Sequence, residues 1–211
     1  DTTITRQYFG LPDNTFLFLF TFDPRSTSAR KNPLGLIQAF KDAFPAQKNT
    51  PTLVIKTYGI SNFPELHQAI SNTAQKHNII LIDQYMSRTE VTSLMNVCDA
   101  YVSLHRSEGF GMALAESMYL GKPVIATGWS GNMDYMSIAN SYPVNYDLVP
   151  ISLDHHQYQD IEPIINLYPP DSCTWADPNI DHAIQLMQHV YQNYEDAEII
   201  AQYGQKSIHA K

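Results

Sequence analysis

Two carboxylates, eight positions apart, enclose the stretch best suited to chemistry: Glu108-Gly-Phe-Gly-Met-Ala-Leu-Ala-Glu116. Ahead of it, Ala100-Tyr-Val-Ser-Leu104 is a short apolar run bounded like a buried strand, and helix-forming residues begin near Met112. The expected local structure is a strand, a tight turn at Gly109-Phe110-Gly111 and a helix N-terminus. Glycines at 109 and 111 let the backbone approach a ligand closely. The free N–H groups of a first helical turn, with the helix dipole behind them, favour an anion such as phosphate. A carboxylate beside an anion site is unfavourable unless it serves another group, and a sugar hydroxyl is one to which it is a strong acceptor. Two carboxylates flanking a diphosphate cradle therefore suit a ligand with a hydroxyl-rich ring at each end, and a nucleotide sugar has that shape. The bland alternative makes Glu108 a solvated loop acid and Glu116 a helix-surface acid. The ordered strand, double glycine and following Gly121-Lys-Pro-Val-Ile-Ala-Thr127 favour the site.

These same runs, Glu108 to Glu116 and Gly121 to Thr127, resemble the E-x₇-E signature of the retaining glycosyltransferases of family 4, the glycosyl transferases group 1, in the C-terminal, donor-binding half of the GT-B fold. The resemblance runs from about Phe16 to Tyr191, and Trp175-Ala-Asp-Pro178 is similar to a late W-A-E-P element of the family. It implies that Glu108 contacts hydroxyls of the donor sugar, that the amides from Phe110 to Met112 hold the diphosphate beside Gly109 and Gly111, and that Glu116 takes the ribose hydroxyls. It also implies that the loop after the first strand supplies an arginine and a lysine to the diphosphate. Lys31, just before Asn32-Pro33, matches that lysine and joins Glu108 as an expected catalytic residue. The family's Gly-Arg pair at the strand end is absent, since Phe22-Asp23 stand there, so Arg25 or Arg30 is the expected replacement. Thr127, Ser130, Gly131 and Asn132 fall where the family approaches the sugar with backbone and small side chains. His105 and Arg106 are candidates by position alone, at a strand's carboxyl end, where open α/β sheets bind ligands. His105 is expected as a hydrogen-bonding wall of the donor site, against the alternative of a satisfied structural histidine.

The elements that must position these residues alternate along the chain. Phe16-Leu-Phe-Leu-Phe-Thr-Phe22 is apolar on both faces, which suits a central strand of a parallel sheet covered by helices on each side. The loop from Asp23 to Pro33 holds the three cations, and Pro33 opens a helix over Leu34 to Phe44. Further strands are expected at Thr52 to Tyr58, Ile79 to Asp83 and Pro123 to Thr127, with Lys56 read as structural. A helix is expected from Pro64 to Lys76, and another after the Ser87-Arg-Thr-Glu90 capping box. Gly128 to Asp134 reads as a loop or as a turn with a helix start at Asn132. Tyr142 to Pro150 reads as one or two edge strands interrupted by prolines. Trp175-Ala-Asp-Pro reads as a helix start, with Asp177 as cap and Pro178 in the first turn. A final helical segment from Glu195 to Ile208 reads as lacking a partner.

The fold class is therefore α/β, doubly wound and Rossmann-like, with about six largely parallel strands. Residues 1–14 are expected to be a connecting segment, 15–194 a nucleotide-sugar-binding domain and 195–211 a C-terminal helical segment, both ends being expected cut points. With 211 residues and 44% hydrophobic content the chain can bury a substantial core. A formal charge of −8 gives no support to a nucleic-acid partner or an anionic membrane. Cys98 and Cys173 have no metal-ligand or redox spacing and read as structural thiols in a reducing, cytoplasmic compartment. No run of about 18 apolar residues suggests a membrane-spanning helix, which leaves room for peripheral attachment of a longer protein at the inner face of a membrane. The adjacent His155-His156 pair has no carboxylate partner at ligand spacing, so no metal site and no cofactor is expected. The function implied is sugar transfer from a nucleoside diphosphate donor to a saccharide or lipid-linked acceptor, bound largely by an N-terminal domain outside this chain, without which turnover should be slight. The alternatives are a non-catalytic nucleotide-binding or scaffolding module, favoured by the missing Gly-Arg pair, and an epimerase or phosphorylase of the same architecture.

Overall fold

A computed structural model of the protein describes residues 4–45, 50–151 and 173–210. The His155-His156 pair lies outside the described residues. Strands β1 (Leu17–Thr21), β2 (Thr52–Thr57), β3 (Ile79–Asp83), β4 (Ala100–Ser103), β5 (Val124–Thr127) and β6 (Tyr142–Val144) form one sheet in the order β3-β2-β1-β4-β5-β6, with every adjacent pair parallel. The α-helices among the described residues are α1 (Ser28–Lys31), α2 (Pro33–Ala43), α3 (Pro64–Ala74), α4 (Arg88–Val97), α5 (Met112–Tyr119), α6 (Ile180–Gln192) and α7 (Tyr194–His209). The expected doubly wound α/β class is what the chain adopts.

The apolar run of β1 explains its inner position. Phe18, Phe20 and Phe22 enter one core with Leu36 and Phe40 of α2 and Met187 of α6. Leu17 and Leu19 enter the opposite core with Leu94 of α4 and Leu114 and Met118 of α5. A strand whose side chains alternate between two buried faces has no polar face to show, hence the unbroken apolar sequence. The Ser87 capping box forms as expected: Ser87 N–H donates to Glu90 Oε2 at 2.8 Å, and Glu90 N–H donates to Ser87 Oγ at 3.3 Å. Asn32, at φ 52°, starts α2 by accepting from Gly35 N–H at 3.2 Å. Its Nδ2 also donates to Leu104 O at 2.9 Å, which fastens the loop after β1 to the end of β4.

Two expectations need correction, and a third is met in its two-strand form. Trp175-Ala-Asp-Pro is not a helix start: Thr174–Pro178 is a strand, β8, paired antiparallel with β7 (Tyr146–Pro150) in a separate two-stranded sheet. Pairing with β7 and burial of Trp175 outweigh the local Asp-Pro capping pattern, and Asn179 caps α6 instead, accepting from His182 N–H at 2.8 Å. Between Tyr142 and Pro150 the chain gives two strands, but only the first stays in the main sheet. The last helix, α7, does have a partner, because Ala197, Ala201 and Gly204 are buried and Gln205 Nε2 donates to Tyr119 O of α5 at 2.8 Å. Among the described residues no helix is long and apolar enough to cross a membrane.

Phe18 is fully buried, its ring centroid 4.8 Å from Phe16, 5.7 Å from Phe44 and 6.2 Å from Phe40. Phe18→Ala should destabilise the fold by about 3–5 kcal/mol in urea unfolding; a loss below about 1 kcal/mol would show that the core collapses into the space or that β1 is not central to it.

Candidate functional site

In this strand order β1 and β4 are neighbours whose connections leave to opposite sides, β1 toward β2 and β4 toward β5. Such a switch point opens a crevice at the carboxyl ends of the strands. Here the crevice has a volume of about 650 Å³, and its lining includes Thr21, Asp23, Lys31, Lys56, Glu108 and Met112. Glu108, from the loop after β4, meets the loop after β1 across it. The Lys31 ammonium donates to Glu108 Oε1, and Arg30 Nη1 stands 3.3 Å from Oε2. Burial pushes the Glu108 carboxyl up, but Lys31 and then Arg30 outweigh it and hold the group below the usual carboxylate range. Glu108 is thus an ionised acceptor at neutral pH.

The turn that follows is built for backbone exposure. Gly111 has φ +80°, and a Cβ there would stand 2.9 Å from both Leu114 Cδ1 and the Tyr135 hydroxyl. That hydroxyl lies 2.7 Å from Phe110 O and 2.9 Å from Gly111 O and donates to this pair of carbonyls. Leu114 and Ala115 N–H close on Gly111 O, which leaves the amides of Met112 and Ala113 at the helix start without an intrahelical acceptor. Glu116 opens on an adjoining groove of about 560 Å³ that it shares with Arg88, Phe110 and Met112. The two acids therefore stand on either side of the Phe110–Met112 segment, which lines both spaces. Arg88 Nη2 is 2.8 Å from Glu116 Oε1 without hydrogen-bond alignment, so this buried oxygen has no proper donor, and we treat the contact as a loose ion pair of a largely exposed arginine.

The remaining expected residues divide into rim, brace and wall. Arg25 lines the cleft at the rim, its guanidinium held by Asp23 through two contacts of 3.0 Å. Arg30 is a brace: Nη1 donates to Ser107 O at 2.6 Å and Nη2 to Ser26 Oγ at 2.7 Å, beside Glu108. Ser130 and Gly131 clamp the backbone. Ser130 Oγ and Gly131 N–H donate to Glu108 O at 2.6 and 3.0 Å, and a Cβ on Gly131 would fall 1.7 Å from Gly109 O. Ser130 holds φ 83°, a conformation that L side chains rarely adopt. His105 and Thr127 sit deeper than most of the expected residues. Both are fully buried and neither is among the described residues that line the cleft. His105 Nδ1 is 3.2 Å from Ser103 Oγ and Nε2 is 3.1 Å from Asn132 Oδ1, and burial lowers its pKa, so the ring is neutral. Asn132 Nδ2 also donates to Thr127 O at 3.0 Å, so the pair shapes the Ser130–Gly131 turn from behind.

One residue escaped the sequence reading, and one candidate takes a different part. Lys56, read as structural, lines the cleft; its register opposite Thr21 puts it at the carboxyl end of β2, which is the signal that marks it. Arg106 was placed only by position, and its role is bracing. Its N–H donates to Arg30 O at 2.7 Å, Nη1 to Ala29 O at 2.8 Å and Nη2 to Asp177 Oδ1 at 3.2 Å, while the guanidinium lies 5.2 Å from the centroid of the Trp175 ring. The β7–β8 ribbon is thereby tied to the loop that carries Lys31.

Residues 4–141 match the family described as Glycosyl transferases group 1. An uncharacterized glycosyltransferase of Methanocaldococcus jannaschii is 37% identical over 100 residues, covering 44% of this chain and 28% of that protein. Among solved structures, Anabaena HepE in complex with UDP and glucose aligns with TM-score 0.65 and 18% identity over 96% of this chain and 46% of its own. The C-terminal domain of a glycosyl transferase group 1 family protein from Francisella tularensis aligns with TM-score 0.64 and 18% identity over 97% of this chain and 89% of its own. The chain thus spans about a quarter of the curated relative and under half of the Anabaena protein. At such identities the structural likeness establishes the shared Rossmann-like layer of GT-B proteins.

Two measurements check this geometry. Gly131→Ala must push the Gly109 carbonyl aside and should cost about 1–3 kcal/mol in chemical denaturation; full stability would contradict the clamp. Because the Glu108 pKa is depressed in the fold, its ion pair stabilises above the ordinary glutamate pKa of about 4.3 and loses that contribution as pH falls through the folded value. Glu108→Gln should flatten the fall of melting temperature on acidification, and an unchanged slope would contradict the pairing.

Proposed function

This chain belongs to the glycosyl transferases group 1, and we propose that it is the donor-binding half of a retaining family 4 enzyme moving a sugar from a nucleoside diphosphate to a saccharide or lipid-linked acceptor. The acceptor is held largely by an N-terminal domain outside this chain, and the reaction runs in the cytoplasm. The observation that carries the reading is the pairing of Lys31 with Glu108 across the switch-point cleft, beside the exposed amides of the α5 start.

In this reading the diphosphate lies on the amides from Phe110 to Met112, where the helix dipole and preoriented donors receive an anion. Lys31 adds a cation at the same place. As the bond between sugar and diphosphate breaks, negative charge grows on the leaving group, and donors already aimed at it stabilise that state without reorganising. No metal is required for that step. Glu108, kept ionised, accepts hydrogen bonds from sugar hydroxyls, and it also holds Lys31 toward the cleft. Glu116, on the far side of Phe110 and Met112, accepts from the ribose hydroxyls and gains the donors that its buried Oε1 lacks. The Anabaena structure contains UDP and glucose, which makes uridine diphosphate sugars the first donors to try, followed by guanosine and adenosine diphosphates.

Calorimetry on the protein should show Glu116→Ala weakening nucleoside diphosphate binding by roughly ten- to hundredfold, the weight of hydrogen bonds to a charged acceptor. Glu108→Ala should leave the diphosphate affinity nearly unchanged and reduce the added affinity of the sugar-bearing donor. Equal diphosphate affinity for wild type and Glu116→Ala would sink the assignment.

A further inference from the structure

Three cations line the switch-point cleft: Arg25, Lys31 and Lys56. Two are already matched by carboxylates that also line it, Arg25 by Asp23 and Lys31 by Glu108. Lys56 has no ion pair and no hydrogen bond from its ammonium among the described residues. Among the described residues that line the cleft, cations thus exceed carboxylates by one, and the excess sits at Lys56, at the carboxyl end of β2. Lys56 is half-buried, at a strand's carboxyl end, with its neighbours Ile55 and Thr57 fully buried. Burial disfavours its charge, and Asp83 and Asp23 only partly restore it. An ammonium drawn out of water without a partner is unfavourable in the empty cleft and becomes favourable when an anion enters.

We propose that Lys56 is a phosphate-contacting residue of this cleft, its ammonium binding the diphosphate of the donor from the β2 side while Lys31 approaches from the α1 side. The inference rests on the cleft being a nucleoside diphosphate site, and it goes beyond that reading by assigning a cation that no part of the E-x₇-E pattern marks. A lysine suits the task as a point charge on a flexible stem, which can follow the phosphates as the bond to the sugar breaks. Its backbone is in register with Thr21 of β1, whose Oγ1 lies 2.9 Å from the Tyr101 hydroxyl, and both Thr21 and Tyr101 line the cleft.

The test compares wild type, Lys56→Met, Lys56→Gln and Lys56→Arg by calorimetry with UDP, GDP and ADP, and by chemical-shift titration with the matching nucleosides. The expected result is a loss of roughly tenfold or more in diphosphate affinity for Lys56→Met and Lys56→Gln, unchanged affinity for the nucleoside, and recovery of most of the loss in Lys56→Arg. Lys56→Gln keeps a polar head on an aliphatic stem, so it carries the test if the methionine variant fails to fold. Wild-type diphosphate affinity in either folded neutral variant overturns the role of Lys56 and leaves the cleft reading standing. An equal loss for diphosphate and nucleoside also overturns it, since the defect would then be one of cleft shape. If wild type binds none of the three diphosphates, the cleft reading itself fails and Lys56 with it.

Discussion

The carboxyl edge of the sheet depends on how one carbonyl is held. Glu108 O receives both Ser130 Oγ and Gly131 N–H, so the loops after β4 and β5 are fused where they pass each other. The contact is close enough that a single methyl group on Gly131 would collide with Gly109 O. That closeness fixes the backbone just ahead of the Phe110–Met112 turn, and it aims the Glu108 side chain back across β1. Buried His105 and Asn132 hold the Ser130–Gly131 turn from behind, and the Ser130 conformation shows that the turn is kept at some conformational cost.

A second set of contacts brings the other wall to meet it. Asn32 donates to Leu104 O, and Arg106 reaches Ala29, Arg30 and Asp177, so the short α1 segment is held by β4 and by the β7–β8 ribbon together. Lys31 ends that segment. Its meeting with Glu108 joins two loops separated by 77 positions in the chain, and the Lys31 ammonium helps hold the Glu108 carboxyl below the usual carboxylate range. The result, among the described residues, is a cleft in which fixed amides, ion pairs and the Lys56 ammonium outside any pair stand in place before a ligand arrives, the condition under which electrostatic stabilisation costs no reorganisation.

Much of this was legible from residue pattern. The all-apolar run from Phe16 to Phe22 announced a strand buried on both faces, and the Ser87–Glu90 capping box and the strand-turn-helix around Gly109 and Gly111 took the forms expected. The roles given to Glu108 and Lys31 needed the resemblance to a family, because no local pattern links residues so far apart. Where the reading failed, non-local physics had overridden local signals. Trp175 to Pro178 carries a capping pattern but gains more from pairing with Tyr146 to Pro150. In a sheet covered on both faces, alternation does not tell which strand-end residue opens on the cleft, so Lys56 was read as structural although it lines it.

The most direct measurement is a backbone amide chemical-shift titration of the protein with UDP, GDP and ADP. The account predicts a saturable response to at least one of them, largest at Lys31, from Phe110 to Met112 and at Glu116. Largest shifts at the groove near Ile138, His182 and His189, or no saturable response to any of the three, would contradict it.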